Sequence, residues 1–121
     1  LDIASLTREE AIAIYKRDWW DRYGYGRIKD ADVAAKLMDM AVNMGPGTAH
    51  RLLQQALVWI GHPVRIDGII GPETIGATNA ADPDRLLQAL RYLSAQHYYQ
   101  LVRANRRMER FLVGWLKRAY S

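Results

Sequence analysis

The chain of 121 residues contains no cysteine, which removes disulfide frameworks, thiolate metal sites and cysteine nucleophiles together. That absence says little about compartment, because an exported protein can lack cysteine too. No apolar run approaches the roughly 18 residues needed to span a bilayer. There is no phosphate-cradling glycine loop, no His-Glu-x-x-His and no calcium loop with alternating acidic ligands. His50, His62 and His97 are scattered along the chain. Each reads as a surface or helix-flank residue, and neither a metal site nor a cofactor is expected. The chain opens Leu1-Asp2-Ile3, with no initiator methionine, no basic leader and no signal-type apolar stretch. Such a start is expected of a processed product or of a piece of a longer one.

What is present is ordinary for a globular protein, with half the residues apolar and a quarter charged. The length allows one domain, or a small domain with an appendage. Charge is unevenly spread. Residues 1–84 hold 9 Lys+Arg against 12 Asp+Glu, and residues 85–121 hold 8 against 1, giving −3 and +7 within the overall +4. A basic C-terminal third on a mildly acidic body favours a polyanionic partner or surface.

The pattern predicts an all-α fold of about five to six helices. Thr7-Arg8-Glu9-Glu10 is a capping box, in which hydroxyl and carboxylate each satisfy an orphan backbone N–H. Ile12, Tyr15 and Trp19 follow at helical spacing, and Gly24 and Gly26 stop the helix. A second helix starts at Ala31 after the N-cap Asp30, with the stripe Val33, Leu37, Met40 and Met44, and Gly45-Pro46-Gly47 ends it. The third carries Ala49, Leu52, Leu53, Ala56, Leu57 and Ile60 as a wide apolar face. Pro72 and Asp82-Pro83 mark two further helix starts. The second of these helices should be long, burying Leu86, Leu90, Leu93, Leu101 and Val102. A polar stretch at 105–107 should break it before a last helix with Phe111, Leu112, Trp115 and Leu116. Val64-Arg65-Ile66 reads as extended but is too short to make a sheet.

Four groups of residues invite a chemical reading. Asp39 and Asn43 lie four apart, on a helix face offset from the apolar stripe. They fit a cleft that hydrogen-bonds a sugar or peptide, and equally an exposed pair beside a glycine turn. Trp19, Trp20, Tyr23 and Tyr25 crowd seven residues. Adjacent tryptophans point about 100° apart on a helix, so one should be core and the other partly exposed. Core packing suits most of this cluster, while an exposed ring could stack on a sugar. The basic aromatic tail holds Tyr98, Tyr99, Arg103, Arg106, Arg107, Arg110, Trp115, Lys117 and Arg118. It fits nucleic-acid binding or a solvated face whose arginine stems cover apolar surface. Asp67-Gly68-Ile69-Ile70-Gly71-Pro72-Glu73-Thr74 reads as a rigid turn launching a helix.

Together with Leu53-Gln54-Gln55-Ala56-Leu57, that turn resembles the peptidoglycan-binding segment of glycoside hydrolase family 108, the phage- and secretion-associated lysozyme-like muramidases. Leu6 through Ile12, Tyr15 and Trp20, Asp39 through Gly45, and Phe111 through Arg118 extend the likeness over nearly the whole chain. The resemblance implies a lysozyme-like helical domain. Residues 1–45 would be the C-terminal part of the catalytic domain and 46–121 a peptidoglycan-binding helical domain. The family's catalytic glutamate sits in a Glu-Gly-Gly-Tyr motif that does not occur here. Glu9, Glu10, Glu73 and Glu109 cannot be mapped onto it, so the catalytic helix is expected to be missing and no catalytic residue is assigned.

By the same resemblance the full enzyme cleaves the β-1,4 bond between N-acetylmuramic acid and N-acetylglucosamine, a carboxylic acid protonating the leaving oxygen. Asp39, Asn43, Trp20 and Tyr23 would contact substrate, and Gln54, Asp67, Gly68, Gly71 and Thr74 would form the peptidoglycan-binding motif. The expected partner is peptidoglycan glycan, in the bacterial periplasm or cell wall or from a phage or prophage, and the fragment itself should bind without turnover. A homo-oligomer is expected if the missing helix leaves an apolar groove. The competing reading is a small basic helical domain that binds nucleic acid or a protein partner through its tail. A helix-turn-helix fits poorly, because Pro63, Gly68, Gly71 and Pro72 break the would-be recognition helix.

Overall fold

The computed structural model describes Thr7, Glu9, Glu10, Ile14 and the continuous stretch 16–121, and all regular structure among these residues is helical, as the pattern predicts. The Thr7 hydroxyl accepts a hydrogen bond from the Glu10 amide at 3.1 Å, one half of the capping box. Leu6, Arg8, Ala11, Ile12 and Tyr15 of the expected first helix lie outside the described residues. The chain then forms a π-helical turn, Lys16–Asp21, and, after Gly24, a 3-10 turn, Tyr25–Arg27. The π turn corrects the expectation for the tryptophans. Its wider winding sets successive side chains closer together than an α-helix does, and Trp19 and Trp20 are both half-buried against the main core.

Helix α1 (Ala31–Met44) starts where Asp30 accepts from the Val33 amide at 3.0 Å. Val33, Leu37 and Met40 are buried as the stripe predicts, with Met44 half-buried. Gly45 closes α1 and opens α2 (Pro46–Trp59): its amide donates to the Ala41 carbonyl and its own carbonyl accepts from the Ala49 amide, each at 3.0 Å. This double duty needs φ +90°, a conformation open to glycine at little cost. Pro46, expected only to end a helix, also begins the next one, since its missing N–H is no loss at the first helical position.

Helix α3 (Pro72–Ala80) and the long α4 (Pro83–Ala104) begin at the expected prolines, and Asp82 accepts from the Asp84 amide. Residues 64–66 form no strand. The polar break falls at Asn105, whose side chain accepts from the Arg107 amide ahead of a 3-10 turn (Arg106–Phe111) and α5 (Leu112–Ala119). Leu101, expected inside, is exposed. The inward row on this part of α4 is Ala95, Tyr98 and Val102, at steps of three and four, which turns Leu101 outward.

One main core joins α1, α2 and the first half of α4 with Tyr25, Ile28 and Ile75. Each large aliphatic side chain buried there stabilises the fold by roughly 1.5–3 kcal/mol. A smaller core of Ala95, Tyr98 and Ala119 holds α5 against α4, helped by Met44, Leu112, Trp115 and Leu116. Among the described residues no helix is long and apolar enough to cross a membrane.

Candidate functional site

Helix α2 buries His50, Leu53, Gln54 and Leu57 at helical spacing, so two polar side chains share its core-facing stripe. Both must find partners there, and both find them in the turn at 67–70. The Gln54 carbonyl oxygen accepts from the Asp67 amide (3.0 Å) and the Gly68 amide (2.8 Å). Its amide nitrogen faces the Asp67 carboxylate (3.0 Å), the Ile69 carbonyl (3.1 Å) and the Thr74 hydroxyl (3.1 Å). Asp67 also accepts from the Ile69 amide at 2.9 Å. These bonds, that from the Ile69 amide first, hold its carboxyl below its ordinary value. Gly68 sits at φ +78°, where a side chain would be strained. Gly71 precedes α3 and accepts from the Ile75 amide.

The structure therefore brings Gln54, Asp67, Gly68 and Thr74 into one hydrogen-bonded unit. Gln54 and Thr74 are buried inside it, and Ile69, 67% exposed, stands on its outer side. Opposite this turn lies the segment around Gly24. Arg27 spans the gap, donating to the Gly24 carbonyl (3.2 Å) and the Ile70 carbonyl (3.1 Å). Between the two walls is a cleft of about 490 Å³, lined by Arg22, Tyr23, Gly24, His50, Gly68 and Ile69 among others.

His50 forms part of the floor and corrects the expectation of a surface histidine, being almost wholly buried. Its Nδ1 lies 3.0 Å from the Gly68 carbonyl, which can only accept, so Nδ1 carries the proton. Nε2 is then the acceptor for the Tyr25 hydroxyl at 2.6 Å. Burial pushes the His50 pKa down and the Tyr25 pKa up, which keeps this Tyr25–His50–Gly68 relay neutral. The sequence signal for His50 was its place in the stripe with Leu53 and Leu57. Tyr23 stacks on Tyr25 (5.9 Å between centroids) and meets the edge of His50 (4.9 Å), with the Arg22 guanidinium 5.4 Å from its ring. Trp20 meets Tyr25 edge-on at 6.0 Å, behind the cleft wall.

Asp39 and Asn43 lie elsewhere. The Asn43 amide donates to the Asp39 backbone carbonyl (2.7 Å) and carboxylate (3.3 Å), and Asp39 pairs with Arg118 at 3.4 Å. Asp39 lines a second cleft with Lys36, Arg91 and Ser121, which shares no residue with the Tyr23 cleft. Lys36, unremarked in the sequence, is buried and donates to the Arg118 carbonyl (3.1 Å) and the Ala119 carbonyl (2.7 Å) at the end of α5. Burial lowers its pKa against the opposing pull of Asp39. The four expected substrate contacts thus fall into two separated pairs.

Residues 48–120 match the family model described as the predicted peptidoglycan domain. The chain belongs to that family. Residues 1–45 match the model of glycosyl hydrolase 108, and no curated protein matches the chain. The two matches make the chain a peptidoglycan-binding portion of a muramidase, with peptidoglycan as its partner and a cell-wall or periplasm-related location. Nothing favours the nucleic-acid alternative. The peptidoglycan domain supplies His50 and the Gly68 wall of the cleft, and the hydrolase-like segment supplies the Tyr23 wall.

Proposed function

We propose that a peptidoglycan strand is held in the cleft where residues 1–45, read as the C-terminal part of a lysozyme-like catalytic domain, meet the peptidoglycan domain of residues 46–121. The observation that carries this is the composition of the cleft. It sets the apolar Ile69 and the ring of Tyr23 beside the guanidiniums of Arg22 and Arg27, the Asp21 carboxylate and two glycines. A pyranose ring offers apolar C–H faces to the first pair, and its acetamido and carboxylate groups suit Arg22. Gly24 lets the Arg27 guanidinium lie against the backbone of one wall, and Gly68 takes the positive φ that the turn of the other wall needs. Gln54, Asp67 and Thr74 act as positioning residues that hold the Gly68 wall, and Trp20 supports the Tyr23 wall through Tyr25. Gly71 fixes the exit of the turn. Asp39 is left to the second cleft, where it meets a remote part of the polymer, with Asn43 bonded to it as a positioning residue.

Binding without turnover is the accompanying expectation. Glycoside hydrolysis needs a carboxylic acid with a raised pKa in a poorly solvated cleft, and all four glutamates, Glu9, Glu10, Glu73 and Glu109, are exposed. The test is co-sedimentation with purified insoluble peptidoglycan. Tyr23→Ala and Ile69→Ser should each weaken retention by about threefold to tenfold while the helical circular dichroism stays unchanged. Unaltered retention in both variants would move the site off this cleft, and falling turbidity of the wall suspension would contradict the absence of turnover.

A further inference from the structure

The segment 105–121 carries a surface that the glycan cleft does not use. Its inner side is fixed: Leu112, Trp115, Leu116 and Ala119 pack against α4, and Trp115 stacks on Tyr98 at 5.2 Å. That packing turns the rest of the segment outward. Arg106, Arg107, Arg110 and Lys117 are all exposed there, and Glu109 is the only acid in the segment. Asp39 of α1, at the margin, is paired with Arg118.

Apolar groups stand among these cations. Val113 is 68% exposed, Met108 and Phe111 are exposed too, and the Arg110 guanidinium lies 4.8 Å from the Phe111 ring. Val113 and Lys117, four apart on α5, share one outward face. The two kinds of group together decide the partner. An anionic polymer in water would satisfy the arginines and give the apolar side chains nothing. The interface of an anionic bilayer offers phosphates to the cations and an acyl boundary to Met108, Phe111 and Val113.

We propose that residues 105–118 dock on the surface of an anionic phospholipid bilayer, with the arginines at headgroup level and Val113, Phe111 and Met108 inserted shallowly beneath them. The docking is peripheral and reversible, since the segment has no spanning length.

Vesicle co-sedimentation of the 121-residue chain tests this, using phosphatidylcholine vesicles with and without phosphatidylglycerol. The chain should sediment with the phosphatidylglycerol vesicles and stay in solution with phosphatidylcholine alone. Arg106→Glu and Arg107→Glu should each reduce binding by about fivefold or more, at roughly one charge interaction per residue. Val113→Ser, at a site too exposed to disturb folding, should also weaken it and leave peptidoglycan co-sedimentation unchanged. Failure to bind phosphatidylglycerol vesicles overturns the proposal. So does binding that moderate salt abolishes and Val113→Ser leaves untouched, because that pattern belongs to a polyanion contact with no apolar component.

Discussion

Residues 67–74 and residues 105–121 are each tied to the helical body by buried polar side chains, Gln54 with His50 beside it in the first case and Lys36 in the second. The two anchors differ in chemistry. A glutamine amide both donates and accepts, so Gln54 fixes amides and carbonyls of the same turn and leaves it one geometry. A lysine ammonium only donates, so Lys36 can hold nothing but carbonyls, here those of Arg118 and Ala119 at the end of α5. The turn also rests on the main core through α2 and Ile75, whereas α5 rests on a core of three buried residues. A surface meant to present one fixed shape to a sugar suits the first arrangement. A segment that settles onto a soft interface suits the second.

The largest effect should come from Gln54→Ala. It strands the Asp67 and Gly68 amides and removes the donors to Ile69 and Thr74, at about 1–3 kcal/mol for each buried group left unsatisfied. A loss of roughly 3 kcal/mol, or about 10 °C in melting temperature for a chain of this size, should appear in calorimetry together with loss of peptidoglycan retention. A change below about 1 kcal/mol would mean that water replaces the glutamine without cost.

Lys36→Ala should be milder and local, at about 1–2 kcal/mol, because it strands the Ala119 carbonyl near the chain end while the Arg118 carbonyl keeps the Ser121 hydroxyl at 2.7 Å. Amide hydrogen exchange should quicken across α5 and leave α1 and α2 protected. Uniform quickening would show that the small core and the main core unfold together, which would erase the contrast drawn above.

The smallest effect sharpens the same contrast through pH. His50 is held neutral, its pKa below the usual 6.5 through burial. The unfolded chain therefore binds a proton below about pH 6.5 that the folded chain refuses. Stability is fully present above that value and declines as pH falls from 6.5 toward the lowered folded pKa. Melting temperature followed from pH 8 to pH 5 should fall, and His50→Gln should flatten the decline to the part left by His97, which is shifted in the same direction. An unchanged slope in that variant would place the sensitivity elsewhere.

The helices were largely legible in the sequence because their limits are local chemistry. Asp30, Asp82 and Asn105 accept from amides two or three residues on, and Pro72 and Pro83 start helices where a missing N–H costs nothing. The turn residues were legible through a family resemblance, but their role inside the unit was not. Gln54, in the pair Gln54-Gln55, looks like surface until one sees that His50, Leu53, Gln54 and Leu57 fall on one stripe. Lys36 sits likewise between Val33 and Met40. The pairing of Asp39 with Arg118 spans 79 positions, read from the ion pair itself, and no local rule reaches that far. The cleft depends on Arg27 meeting the Ile70 carbonyl across the fold, which is again a tertiary event.

Gly45 has a consequence for how such chains can be rearranged over time. It ends the stretch that matches the hydrolase model, just before the stretch that matches the peptidoglycan domain, and on paper it is the natural place to recombine them. Yet Tyr25 from one side is hydrogen-bonded to His50 from the other, and Leu37 and Met40 share a core with Leu53 and Leu57. The seam in the sequence is not a seam in the solid. An exchange of partners at this glycine would succeed only between chains whose facing side chains already match, so the two segments should be inherited as a pair.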